Sequence, residues 1–266
     1  MQGIEEAGLG EDVLHLWCLP QDARSREQLT EEGHSLLSPG ERQTLAGMSS
    51  NARVRSFLLG RTLLRRALAH HLDCAPQDLV FGERDGGKLY LVGPEVCSCD
   101  FSLSHARGES LVAVARAVGL GIDLEAENRS SQVLKIARRL FSQDERRHLA
   151  SAGAQAATQA LCLWTLKEAV TKALGETIWQ AVGQTAFSVG AMELGWLSAP
   201  PRGKLQDWTL LSGRFRQGHR FAAAIWDPRA VPGSWRLRGH VAGEEALPSE
   251  TFEITASAGG WRRAID

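Results

Sequence analysis

Hydrophobic and polar positions alternate along some stretches of the chain and recur with a helical period along others. "DVLHLW" (12–17) has the character of a strand. "SPGERQTLAGM" (38–48) predicts a helix with Ser38 as N-cap and Pro39 at the first position, where a missing N–H costs nothing. Residues 51–72 predict a longer helix, because Leu59, Leu63 and Ala67 fall at i, i+4 and i+8. Short strand-like runs follow at "LVF" (79–81), "KLYLV" (88–92), "DFSLSH" (100–105) and "SLVAVAR" (110–116). In "GLGIDLEAE" (119–127), Leu120, Ile122 and Leu124 alternate with Gly121, Asp123 and Glu125, the period of a strand with one apolar face. The helical period returns in "LWTLKEAVTKALG" (163–175), which stops near Gly175.

The order of these elements repeats. "LFSQDERRHLAS" (140–151) echoes "LLSPGERQTLAG" (36–47), matching Ser142 to Ser38 and Glu145 to Glu41. "LKEAVTKAL" (166–174) echoes "GRTLLRRAL" (60–68), matching Lys167 to Arg61 and Lys172 to Arg66. "FAAAIW" (221–226) resembles "LVAVAR" (111–116). Three matches in register, with a slowly growing offset, are what duplication followed by small loop insertions leaves. The expectation is an α+β fold with a pseudo-two-fold repeat. Each subdomain is a small antiparallel sheet packed on a long helix, and the active site lies in the cleft between them, where ligands preferentially bind. The boundaries read as an N-terminal subdomain over 1–118, a second over 119–227 and an extension over 228–266. In the extension, "DPRAVPGSW" is rich in breakers and "WRLRGHV" and "TFEITA" have strand character.

Composition narrows the function without naming it. The 266 residues are 43% hydrophobic with a net charge of −1, so nothing global points to nucleic acid or membrane. No apolar run reaches membrane-span length. "MQGIEEAGLGEDV" at the start is acidic, unlike a signal peptide. The five cysteines, Cys18, Cys74, Cys97, Cys99 and Cys162, fit neither a disulfide framework nor a zinc spacing, including "CSC" at 97–99. A reduced, cytoplasmic protein is the economical expectation.

Candidate chemistry gathers in four places. Asp123 and Glu125 share a strand face with Cβ atoms about 7 Å apart, and neighbouring carboxylates resist joint ionisation unless a cation neutralises them. A hard ion such as Mg²⁺ does this; a solvated strand face is the plain alternative. Trp164, Glu168 and Lys172 form one stripe along the second helix, so Glu168 is a candidate third ligand and Lys172 a cation one turn on. The alternative is an ordinary i,i+4 surface pair. In "FSLSHARG" (101–108), Phe101 and Leu103 face inward, Ser102 and Ser104 share the other face, and His105 sits at the strand end. Ser104 and His105 are candidate phosphate contacts, against a surface histidine at a turn. Finally, Arg53, Arg55, Arg61, Arg65 and Arg66 lie on the first long helix, and Lys88 follows a Gly-Gly turn. These make either a solvated basic face or a polyphosphate-binding rim.

Together these residues resemble the 4′-phosphopantetheinyl transferase superfamily, in its two-subdomain surfactin-synthetase-activating type. "GIDLE" (121–125) resembles the family's G-[IV]-D-[IVL]-E motif, and "WTLKEAVTK" (164–172) resembles W-x-x-K-E-x-x-x-K. "SLSHARG" (102–108) and "GGKLYL" (86–91) correspond to two looser motifs. The resemblance runs from about 36 to 226. It departs from the family at Ser102, often Asn, at Ala106, often Ser, and at Leu89, often Pro. Some members also carry lysines near Glu41 and Thr44 that touch the coenzyme's 3′-phosphate; Arg53 or Arg55 are the candidate substitutes here.

The resemblance implies that Asp123, Glu125 and Glu168 hold Mg²⁺, which also binds the pyrophosphate of coenzyme A. It implies transfer of the 4′-phosphopantetheine arm to a serine of an apo acyl or peptidyl carrier protein, leaving 3′,5′-ADP. Glu168 then takes the serine proton, directly or through water, and Lys172 neutralises or protonates the leaving phosphate. Lys88, Ser104, His105 and Lys167 contact phosphates, while Trp164 packs and fixes the helix. Fused halves form the cleft within a monomer. Which carrier is served, whether of fatty-acid, polyketide or peptide synthesis, is left open. The rivals are another Mg²⁺-dependent phosphodiester enzyme, such as a nuclease, and an inactive carrier-binding module.

Overall fold

The computed structural model describes residues 9–92, 99–189, 194–216, 218–229, 235–242, 251–257 and 260–263. Cys97, the first residues, the centre of "DPRAVPGSW" and the final residues lie outside them.

The first half runs β1 (Val13–Cys18), α1 (Ala23–Leu36), α2 (Pro39–Ala46), α3 (Asn51–Leu72), β2 (Phe81–Glu83), β3 (Leu89–Leu91), β4 (Asp100–Ala106) and β5 (Glu109–Ala115). The second repeats it as β6 (Gly119–Ala126), α4 (Ser130–Leu140), α5 (Gln143–Ser151), α6 (Ala156–Leu174), α7 (Ile178–Ala181), β7 (Phe187–Val189), β8 (Leu194–Trp196), β9 (Trp208–Phe215) and β10 (His219–Trp226). Strand order repeats too: β1-β5-β4 in one sheet is matched by β6-β10-β9 in the other. The fold is α+β, mixing helices with sheets that are largely antiparallel.

Both copies use one local device. Ser38 and Ser142 each close a capping box, accepting from the N–H of Glu41 or Glu145, whose carboxylate accepts the cap residue's own N–H. Each glutamate then reaches a cation on the long helix. Glu41 takes Arg65 at 2.6 Å and Arg61 at 3.4 Å; Glu145 takes Lys167 at 3.0 Å. The matched pairs Glu41–Arg61 and Glu145–Lys167 therefore hold equivalent places.

Three cores divide the molecule. One lies between the two sheets, where Leu14 and Leu16 of β1 meet Leu120, Ile122 and Leu124 of β6. The others lie on the outer sides, under α3 and under α6. The C-terminal segment continues the first sheet. β11 (Arg236–Val241) pairs parallel with β1, and β12 (Thr251–Ser257) and β13 (Gly260–Arg263) extend it. Among the described residues, no helix is long and apolar enough to cross a membrane.

Candidate active site

β6 is apolar toward the inter-sheet core and presents Gly119, Gly121, Asp123 and Glu125 to α6. Close approach of that helix depends on the glycines. A Cβ on Gly121 would fall 1.9 Å from the Ala169 carbonyl oxygen and 2.5 Å from the Ala173 nitrogen. Both are backbone atoms that cannot step aside. Because α6 lies against the strand at Gly121, its next side chains reach the acids. Lys172 Nζ is 2.7 Å from Asp123 Oδ1, and Trp164 stands close enough to Glu125 to help hold its charge. Gly175, in the left-handed conformation, then ends α6.

Asp123, Glu125, Glu168 and Lys172 line a cleft of about 460 Å³ with Ser104, His105, Arg107 and Arg129. Asp123 and Glu125 are buried, and Glu168 is partly buried. Burial, and then the Asp123 charge, push the Glu168 carboxyl up to about 7; Lys172 opposes the shift. Burial and Asp123 also raise Glu125, against the pull of Arg129, which pairs with it. Burial, and then the Lys172 ammonium, lower His105.

One wall is a seam between the sheets. The Asp100, Ser102 and Ser104 side chains, at alternate positions of β4, accept the N–H groups of Leu120, Ile122 and Leu124 at 2.7, 3.0 and 3.0 Å. The carbonyls of Leu120 and Ile122 accept from Lys88 and Lys172, each at 3.0 Å. Side chains thus satisfy the outer edge of β6, and the same spacing of two on both strands makes the match possible.

Several residues expected at phosphates are committed elsewhere. Lys167 is fully buried on the far side of α6, bonded to Glu145 and the carbonyls of Val182 and Thr185, so it cannot reach the cleft. Lys88 pairs with Asp100 inside the seam. Ser104 Oγ donates to Asp123 Oδ1 at 3.0 Å and accepts from Leu124, so it orients a carboxylate while lining the cleft. Ser102 and Ser104 are buried, not on an open face. The basic rim also dissolves. Arg65 is buried against the carbonyls of Pro76 and Leu79, Arg61 turns to Glu41, and Arg66 pairs with Glu32. Arg53 and Arg55 are exposed and line no part of the cleft; Arg55 borders a separate depression with Arg26, Glu109 and Arg216. His105 does line the cleft.

Asp100 and Arg129 are site residues that the motifs do not mark. Arg129 carries a signal, lying four residues after Glu125. Asp100 carries one too, standing two before Ser102 on the same strand face.

The donors fit a hard divalent cation. Asp123 Oδ2 is buried without a hydrogen-bond partner among the described residues, and three carboxylates line one cleft, where one already resists ionisation. All are oxygen ligands, the set that suits Mg²⁺. The class defined is a duplicated α+β protein with a three-carboxylate, one-lysine cleft at the junction of its halves.

Comparisons with known proteins agree. Residues 119–225 match the model of the 4′-phosphopantetheinyl transferase superfamily. The 4′-phosphopantetheinyl transferase HetI of Nostoc sp. is 31% identical over 63% of this chain and 70% of its own length. A Synechocystis sp. protein ascribed to the 4′-phosphopantetheinyl transferases is 33% identical over 59% of this chain, which spans 63% of that relative. Two solved structures are more distant. The holo-(acyl-carrier-protein) synthase of Bacillus anthracis, solved with coenzyme A (3′,5′-ADP), is 19% identical with a TM-score of 0.34, over 41% of this chain and 95% of that one. That of Thermotoga maritima is 19% identical with a TM-score of 0.35, over 56% and 84%. The chain belongs to the 4′-phosphopantetheinyl transferase superfamily.

Proposed function

We propose that the protein is a Mg²⁺-dependent 4′-phosphopantetheinyl transferase that moves the arm of coenzyme A onto a serine hydroxyl of an apo acyl or peptidyl carrier protein. The observation that carries this is that Asp123, Glu125, Glu168 and Lys172 line one cleft, in a member of this superfamily. The names of the Nostoc and Synechocystis relatives support the same activity.

Asp123, Glu125 and Glu168 are the residues that would hold Mg²⁺. When bound, the ion supplies positive charge to the pyrophosphate oxygens. The serine oxygen attacks the β-phosphorus in line; a P–O bond to the carrier forms as the one to the departing 3′,5′-ADP breaks. Glu168, whose carboxyl burial raises to about 7 in the metal-free cleft, would be ionised by the bound cation and take the serine proton directly or through water. Lys172, held beside Asp123, would neutralise or protonate the leaving phosphate, and Ser104 holds Asp123 in its rotamer. Arg107, Arg129 and His105 make up the cleft wall available to the rest of the coenzyme. Such chemistry is mostly positioning and charge stabilisation. One chain supplies both walls, so the proposed working form is a monomer, and the proposed setting is the cytoplasm.

Incubation with coenzyme A, Mg²⁺ and an apo carrier protein, followed by weighing the carrier, tests the reading. A phosphopantetheine mass gain, abolished by Asp123→Ala in a folded variant, is expected. Nicked nucleic acid in a parallel assay, or carrier binding without mass change, would overturn it.

A further inference from the structure

Three buried histidines from distant parts of the chain meet away from the carboxylate cleft. His15 lies on β1, His71 in the last turn of α3, and His240 on β11. One ring nitrogen of each lies within 4.8 Å of one from each of the others. His15 Nδ1 and His240 Nε2 are 2.9 Å apart, and Trp17 Nε1 donates to His71 Nε2 at 3.1 Å. Trp17 also stacks on His240, with ring centroids 4.4 Å apart.

We propose that His15, His71 and His240 form a binding site for a divalent transition ion of the Zn²⁺ class, fastening β11 onto β1 and α3. Nitrogens about 2.0–2.1 Å from such an ion stand about 3.4 Å apart in a tetrahedron. That spacing falls between the 2.9 Å contact and the 4.8 Å limit, so small ring rotations suffice. His15 Nε2 and His240 Nδ1 are buried without a hydrogen-bond partner among the described residues. The pair therefore satisfies only one nitrogen of each ring.

The protonation state is also right for a ligand. Burial, and then the neighbouring rings, hold His15 at about 2 and His240 at about 4, so both imidazoles are neutral with lone pairs to donate. Imidazole nitrogens suit Zn²⁺, Cu²⁺ and Ni²⁺, whereas carboxylates suit Mg²⁺. The two sites therefore differ in the metal they take.

The place in the fold is a second, independent pointer. On β6, Asp123 faces Ala222 and Gly121 faces Ala224 of β10; on β1, Trp17 faces Val112 and His15 faces Val114 of β5. Matching "LVAVAR" to "FAAAIW" puts His15 at the counterpart of Gly121, and Trp17 at that of Asp123. The imidazole cluster thus lies on the strand face that carries the carboxylates in the other half.

The test uses the full chain, stripped with a chelator and returned to excess Mg²⁺. Zn²⁺ is then titrated while ¹⁵N-histidine side-chain resonances and the melting temperature are followed. Three of the eight histidines should shift at one equivalent. The melting temperature should rise by about 5–10 °C at a hundredfold excess over Kd. Asp123→Ala should keep this response. His240→Gln should weaken Zn²⁺ binding by more than the roughly 10–100-fold that loss of an outer partner costs. Absence of a saturable histidine shift in the wild type would overturn the proposal, even if His240→Gln fails to fold. So would tight binding retained by a folded His240→Gln.

Discussion

In the absence of a divalent ion, Glu168 should make the protein less stable as the pH rises. Its carboxyl is held at about 7 against an ordinary 4.5, a difference of roughly 3 kcal/mol. The folded state binds this proton more tightly than the unfolded chain. The contribution is therefore full below 4.5 and is lost as the pH climbs through about 7. Glu168→Gln keeps the shape and removes the titration. In chelator, its stability should draw ahead of the wild type by up to about 3 kcal/mol between pH 4.5 and 8. For a chain of this size that corresponds to about 6–12 °C in melting temperature. Glu125 is also raised but titrates in both proteins, so the difference isolates Glu168. Added Mg²⁺ should close the gap by favouring the ionised wild type. Urea melts across that range, with chelator or Mg²⁺, make the measurement. Parallel stability curves for the two proteins in chelator would show that the carboxylate cluster imposes no such charge penalty.

Three further outcomes follow from the same geometry. Lys172→Ala should lower kcat by about 10²–10⁴-fold with little change in the Mg²⁺ concentration required, the outcome expected of the proposed role at the leaving phosphate; a matching rise in the Mg²⁺ requirement would assign it to the metal instead. Lys167→Ala strands Glu145 in the core and should cost about 3–5 kcal/mol in urea melts while leaving KM for coenzyme A unchanged; a raised KM at wild-type stability would return Lys167 to the phosphates. Gly121→Ala forces α6 away from β6 and should cost about 3 kcal/mol or more, weakening Mg²⁺ binding with it; wild-type melting and Mg²⁺ titrations would refute the close-approach argument.

The elements that periodicity marks clearly are where the pattern puts them: α3 spans 51–72 and β4 and β6 cover "DFSLSH" and "GLGIDLE". The duplication is legible because capping boxes and helix cations recur at matched spacing. What a single strand's pattern hides is a partner lying against it. Ser102 and Ser104 look like an open polar face, yet they fill the edge of β6, a contact defined only by tertiary packing. Lys167 and the arginines of α3 look like a basic surface, but a capping-box glutamate in each copy draws a matched cation inward. The C-terminal strands have recognisable character, but their pairing with β1 brings together residues more than two hundred positions apart.

The duplication also explains why the carboxylate site exists once. The acids meet the helix only because Gly121 lets α6 reach β6, which brings Glu168 and Lys172 to the cleft of Asp123 and Glu125. In the first half, His15 and Trp17 occupy the equivalent strand positions, and their rings fill the space between β1 and α3. The helix positions matching Glu168 and Lys172 are Thr62 and Arg66. Both turn instead to α1, Thr62 to the Leu29 carbonyl and Arg66 to Glu32. β1 has no glycine for close approach and no acid, so the carboxylate arrangement of β6 is not repeated there. The contribution of that half to the cleft comes instead through β4, where Ser104 steers Asp123 and His105 faces the opening. One half thus carries the proposed ligands and the other their orientation, so the cleft draws on both copies.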